Sequence, residues 1–305
     1  MHILSKFILI TLLGASAVLS DQTQDENWKQ CKSNDPEQIV RACSALIQSG
    51  KESDLDLAHA FDRRGWAYKH EGDNDHAIQD YDQALRLYPT LAAAFYGRGL
   101  AYAQKGDYDR AIQDYDESLR IDPTFANTFV IRGNAFTAKH DYGRAIQDFD
   151  EALRLNPSSA DAFYNRARAY EYAGDYDRAI PEYDEALRLT PSDADSFVGR
   201  GWAYAQKGDY DRAIQDYDQA LRIKPTYALA LNNRRLAYAR KGDYLRAMID
   251  NIHFMWLKFG FWGNVIRLSI LALSLAVLFG SIFKRYRRDH AMGQEPDAGI
   301  FHSRN

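Results

Sequence analysis

The residues in this chain able to do chemistry are few, and most are spaced against it. Cys31 and Cys43 are its two cysteines, twelve residues apart. A pair used for thiol–disulfide exchange sits much closer, as in Cys-x-x-Cys, so this spacing favours one structural disulfide over a redox-active pair. The eight histidines are scattered, with nothing like the His-Glu-x-x-His spacing that puts two ligands on one helical face. No metal and no cofactor are expected. Gly97-Arg98-Gly99 and Gly199-Arg200-Gly201 have the composition of a phosphate-binding loop, but no strand precedes them and they fall inside helical segments. No Ser/His/Asp set or Gly-x-Ser-x-Gly elbow stands out, so no catalytic residues are expected.

One charged pattern does stand out. Arg64, Arg98, Arg132, Arg166, Arg200 and Arg234 recur every 34 residues, and sixteen residues after each comes an acid: Asp80, Asp114, Asp148, Glu182, Asp216 and Asp250. A charge set among apolar neighbours needs a partner. The spacing therefore predicts ion pairs such as Arg98–Asp114, Arg132–Asp148, Arg166–Glu182 and Arg200–Asp216. An arginine row that binds an acidic peptide is the alternative.

The elements that carry these residues follow the same period. Pro89, Pro123, Pro157, Pro191 and Pro225 are 34 residues apart, as are Gly72, Gly106, Gly174, Gly208 and Gly242, with His140 filling the one gap. Aromatic ladders run in phase, one through Tyr68 to Tyr238 and another through Tyr81 to Tyr217. Each period reads as two helices. Ala92 to Lys105 is closed by Gly106-Asp107, and Tyr108 to Ile121 is amphipathic, with Ala111, Ile112, Tyr115 and Leu119 on one stripe. Asp122-Pro123 ends it, because a residue before proline avoids the helical region. Such a hairpin cannot bury its apolar face alone, so neighbours must stack.

These ladders closely resemble the tetratricopeptide-repeat (TPR) family. Gly65/Tyr68, Gly99/Tyr102, Gly133/Phe136, Ala167/Tyr170 and Gly201/Tyr204 match the family's first helix, and Ala213, Tyr217, Ala220 and Pro225 its second. The resemblance covers five repeats over 58–227, with a degenerate sixth in which Asn251 replaces the expected aromatic. It implies an all-α, right-handed superhelix whose concave groove, lined by the first helix of each repeat, binds a protein or peptide. Two rows there vary between repeats: Asp62, Tyr96, Val130, Tyr164, Val198, Asn232, and four residues on Trp66, Leu100, Asn134, Arg168, Trp202, Leu236. Their aromatic and apolar content suits a peptide with hydrophobic anchors. Trp66 and Trp202 could equally pad the inter-repeat packing. The basic-and-Asn clamp some family members use for a peptide carboxylate is matched by Asn134 alone.

Both ends are apolar, which a mean hydropathy of −0.50 conceals. Phe7 to Leu19 lacks charge and is followed by small residues, the layout of a signal peptide, or of an uncleaved anchor. Val265 to Phe283 contains only Arg267 as a charge, long enough at roughly 1.5 Å per residue to span a bilayer. Lys284, Arg285, Arg287 and Arg288 follow, marking that side as cytoplasmic. An apolar helix capping the repeats is the other reading.

The expected order is therefore 1–20 signal peptide or anchor, 21–57 Cys-linked helical cap, 58–227 repeats, and 228–262 sixth repeat and juxtamembrane helix. A transmembrane helix at 263–283 and a basic cytoplasmic tail at 284–305 complete it. The cap resembles the Cys-linked lead-in of exported bacterial TPR proteins. A net charge of −4 gives no electrostatic basis for nucleic-acid binding. The expected function is a protein-interaction scaffold at the cell envelope, not an enzyme. An assembly or signalling subunit acting through the span and tail is the alternative.

Overall fold

The computed structural model describes residues 23–258. The segments read as signal or anchor (1–20), membrane span (263–283) and basic tail (284–305) lie outside the described residues. Among the described residues there is no strand, and no helix is long and apolar enough to cross a membrane. The chain forms two compact units that divide between Lys207 and Gly208.

The first unit opens with α1 (23–31) and α2 (Pro36–Ser49). Asp35 caps α2 by accepting the Glu37 and Gln38 N–H groups, Pro36 needs no amide partner there, and Gly50 closes it at φ 63°. The Cys31–Cys43 disulfide joins the two helices. Around it Ile39, Ala42 and Leu46 pack with Ala60 and Ala67 of α3 (Asp54–His70). That helix starts four residues before the repeat boundary expected at Ala58, because Ser53 accepts the Asp56 N–H and nucleates it early.

The remaining helices of this unit follow in the same manner. Helix α4 (Asn74–Leu87) completes the first hairpin. Three full hairpins come next, α5 (Ala92–Gln104) with α6 (Tyr108–Ile121), α7 (Ala126–Ala138) with α8 (Tyr142–Leu155) and α9 (Ala160–Tyr172) with α10 (Tyr176–Leu189), and α11 (Ala194–Gln206) is the last. The turn at Gly106 shows why. Its φ of 78° is open to glycine at no cost, and the next residue, Asp107, caps α6 by accepting the Arg110 N–H at 3.2 Å.

The rings of the second helices wedge into the first helices. A Cβ placed on Gly99 would lie 2.5 Å from Tyr115 Cε1 of its own hairpin, and one on Gly97 would lie 2.4 Å from Tyr81 Cζ of the preceding one. Glycine at both positions lets two buried rings pack against one helix backbone. Each buried ring contributes about 1.5–3 kcal/mol.

The second unit contains α12 (Tyr210–Ile223), α13 (Ala228–Lys241) and α14 (244–258). Asp209 caps α12, and Gly242 ends α13 at φ 84°. The degenerate sixth hairpin thus keeps its turn, although Asn251 takes the place of the aromatic wedge.

Candidate functional site

Four arginines of the ladder, Arg98, Arg132, Arg166 and Arg234, each bind two carboxylates. Arg98 donates through Nε and Nη2 to Asp114 at 2.9 and 2.7 Å, and through Nη1 to Asp82 at 2.6 Å. Asp114 stands on the second helix of the same hairpin and Asp82 on that of the hairpin before. Arg132 does the same with Asp148 and Asp116, and Arg166 with Glu182 and Asp150. Arg200 reaches Asp184 in the first unit, while Asp216 is buried in the second. Within the second unit Arg234 joins Asp250 and Asp218. Arg64 has no earlier acid to reach, and its Nη1 donates to Ser44 Oγ of α2 at 2.8 Å while Asp80 holds the rest of the fork.

Burial pushes the Asp114 carboxyl above its usual range, outweighing the pull of Arg98. Burial also opposes the charge on Arg98, but its bonds to Asp114 and Asp82 leave it raised. With Nε, Nη1 and Nη2 all engaged, these guanidiniums hold the hairpins together, and a peptide carboxylate would have to displace one already in place.

A second link runs alongside. Lys105 bridges to Asp75, Lys139 to Asp109, Lys207 to Asp177 and, within the second unit, Lys241 to Asp211, each across one hairpin junction. At the remaining junction both partners are missing together, Gly143 standing for the acid and Ala173 for the lysine.

The two variable rows separate in the structure. Val130 and Val198 are 7% and 5% exposed, so this part of the row belongs to the packing and offers little surface to a ligand. Tyr96 is half-buried beside Phe125 and accepts a hydrogen bond from Asn127, and Tyr164 packs edge-on to Tyr183. Asp62 is also half-buried, and desolvation, eased only by Arg63, raises its carboxyl to about 6. In the other row Trp66 packs against the disulfide core and stacks near His70, whereas Trp202 is exposed. Leu100 is half-buried.

Asn134 and Arg168 meet at a cavity of about 530 Å³ that they line with Thr137, Ala138, His140, Tyr142, Asn165 and Tyr172. Arg168 is held there by its bond to the Tyr172 hydroxyl at 2.5 Å and by the rings of Tyr164 and Tyr172, 5.7 and 5.2 Å away. His140 carries φ 62°, the only non-glycine at positive φ among the described residues, and its Nδ1 lies 2.9 Å from the Tyr142 hydroxyl. Asn165 donates to the Asp161 carbonyl, leaving its amide oxygen free, and Asn134 has no side-chain partner among the described residues. No carboxylate lines the cavity. Amides, one guanidinium and aromatic walls suit a polar or anionic group on an otherwise apolar ligand.

Sequence reasoning singled out Asn134 and Arg168 but not His140, Tyr142, Asn165 or Tyr172. The available signal was shared departure from the period. Asn165 stands where the preceding hairpins have Ile131 and Gly97, and Tyr172 where they have Ala138 and Gln104. Among the described residues no cluster of three or more His, Cys, Asp or Glu is placed to hold a metal.

Profiles described as tetratricopeptide repeat match residues 132–194, 164–228 and 92–125, and one described as TPR repeat matches 65–106, together more than half of the chain. Among solved structures, MamA is 28% identical, with 54% of this chain and 96% of that one covered at a TM-score of 0.51. YrrB, described as a TPR protein with an unusual peptide-binding site, is 24% identical, covering 63% and 97% at a TM-score of 0.53. A tetratricopeptide repeat protein from Parabacteroides merdae is 20% identical, covering 81% and 95% at 0.62. The last two likenesses concern the fold. No curated protein matches the sequence.

Proposed function

Because this chain belongs to the tetratricopeptide-repeat family, we propose that it is a protein-interaction scaffold whose first unit docks a peptide segment at the Asn134–Arg168 cavity. The observation that carries this reading is the convergence of aperiodic residues. Asn134, His140, Asn165, Arg168 and Tyr172 all break the repeat, and all line one cavity. Architecture explains residues that recur. Residues that depart from the period and still gather in one place call for a ligand. Half-buried Leu100 and exposed Trp202 on the same row would take apolar anchors, and Arg168 an acidic or amide group.

Cross-linked capture from cells expressing the full chain tests it. Arg168→Ala with Asn134→Ala should abolish the specific partner while leaving thermal unfolding unchanged, since neither residue belongs to the ion-pair ladder. Trp202→Ala should weaken it. An identical partner set in wild type and the double variant removes this site.

In the same reading the repeats lie on the extracytoplasmic side. Residues 1–20 act as a signal or anchor, 263–283 as one span and 284–305 as a cytoplasmic tail. Three features support this: the uncharged run Leu268 to Phe283, the basic cluster after it, and a disulfide, which persists in oxidising compartments. Alkylation of intact cells without reductant should find no free thiol, and two labelled cysteines would count against export. Partner binding through the span and tail is the competing assignment. It predicts that residues 259–305 grafted onto a neutral domain retain the partner.

A further inference from the structure

The last of the described helices, α14, has exchanged the polar surface of its predecessors for an apolar one. Where α12 carries Asp211, Gln215, Asp218 and Arg222, α14 carries Leu245, Ile249, Ile252 and Trp256. The earlier second helices share α12's pattern, apart from Gly143 and Pro181. The four positions follow i, i+4, i+7, i+11, so they form one stripe along the helix. Leu245 is 66% exposed, Ile249 55% and Trp256 42%. The opposite face is fixed to the unit by buried Ala247 and by Asp250, which is held in the Arg234 fork.

Two of the four exchanges remove the residues that receive a following hairpin. Asp82 and its equivalents take the next arginine, and Asp75 and its equivalents take the next lysine. Ile252 and Leu245 stand at those registers, so α14 is not built to be followed by another repeat. The occupant of the stripe follows from the chain beyond it. Only residues 259–262, Phe-Gly-Phe-Trp in sequence, lie between the last described residue of α14 and the segment 263–283, a reach of at most about 17 Å. Arg246 and His253 are exposed along one flank of the stripe, the basic rim of a helix that lies in a lipid headgroup layer.

We propose that α14 is an interfacial membrane helix that seats Leu245, Ile249 and Ile252 in the acyl boundary and holds the second unit against the bilayer. This rests on the reading of 263–283 as a membrane span.

The test uses the full-length chain in phosphatidylethanolamine/phosphatidylglycerol vesicles, with Ile249→Cys carrying an environment-sensitive fluorophore and Asp211→Cys as the comparison. Co-flotation resistant to carbonate checks the span separately from the stripe. The expected result is quenching of the label at 249 by spin-labelled lipid with loss of quenching by aqueous iodide, and the reverse at 211. A chain that floats but whose 249 label is iodide-accessible overturns the proposal and leaves the span intact. A label shielded from both quenchers in a concentration-dependent way assigns the stripe to a second copy and also overturns it. A chain that fails to float removes the span and the proposal together. As a second arm, Leu245→Asp with Ile252→Asp restores the surface of the other repeats, and should keep flotation but expose the 249 label to iodide.

Discussion

Asp114 and Asp82 grip the same guanidinium from opposite sides, under different conditions. The Asp114 side chain is 7% exposed and that of Asp82 40%. Removing one partner of a buried pair costs about 3–5 kcal/mol, whereas an exposed pair is worth about 0.2–1 kcal/mol. Asp114→Asn should therefore lower the urea midpoint markedly and Asp82→Asn barely. Equal losses would mean that the two bonds share one environment. The geometry also alters a simple charge-swap test. In Arg98→Asp with Asp114→Arg, the new acid at 98 would face Asp82, so rescue should appear only when Asp82→Asn is added.

Asp62 supplies a pH-dependent term of the opposite kind. Its carboxyl rises from 3.8 to about 6 on folding, so between those values the folded chain keeps a proton that the unfolded chain releases. Stability from this residue is thus greatest at low pH and falls as pH climbs through the window, by about 2 kcal/mol. The difference in unfolding free energy between wild type and Asp62→Asn, measured from pH 4 to 7, should show that slope. A flat difference would show that the carboxyl is hydrated.

At the scale of elements, the repeat period made most of the fold readable. Pro123, Gly106 and Asp107 each act within one turn of chain, so their consequences for α5 and α6 follow locally. The sixteen-residue spacing likewise links Arg98 to Asp114 inside one hairpin. The bond from Arg98 to Asp82 was not legible, because it depends on how one hairpin sits on the next. The cavity was hidden for the same reason: Asn134 and Arg168 come from different hairpins, and His140 looks like a mere gap in the glycine ladder.

That gap carries its own expectation. A non-glycine residue in the left-handed region costs on the order of 1 kcal/mol. His140→Gly should raise stability by about that amount while weakening peptide capture, because His140 lines the cavity. Unchanged capture would make the histidine incidental.

For the molecule as a whole, the first hairpin depends on what precedes it. Arg64 borrows Ser44 in place of a missing acid, and the disulfide holds α2 beside α1. Closing a short loop is worth about 2–4 kcal/mol. Replacing Cys31 and Cys43 by serine should lower the unfolding midpoint by a corresponding amount and expose the start of α3 to proteases. A midpoint unmoved by this change would leave the cap without a stabilising role.

The two-sided grip of arginines such as Arg98 also makes copy number editable. Excising residues 109–142, one full period, would splice α5 onto α8, and Arg98 would then meet Asp82 behind it and Asp148 ahead. Both acids stand at their usual registers, so the shortened chain should fold with its helical signal reduced in proportion. Duplication and loss of whole units can therefore lengthen or shorten such a gene without rewriting any junction. Asn134 and His140 would leave with the excised stretch, so on the proposed reading the shortened chain should fold but lose peptide capture. Length is cheap for this chain to change, whereas the proposed site rests on the few positions that cannot be copied from a neighbour.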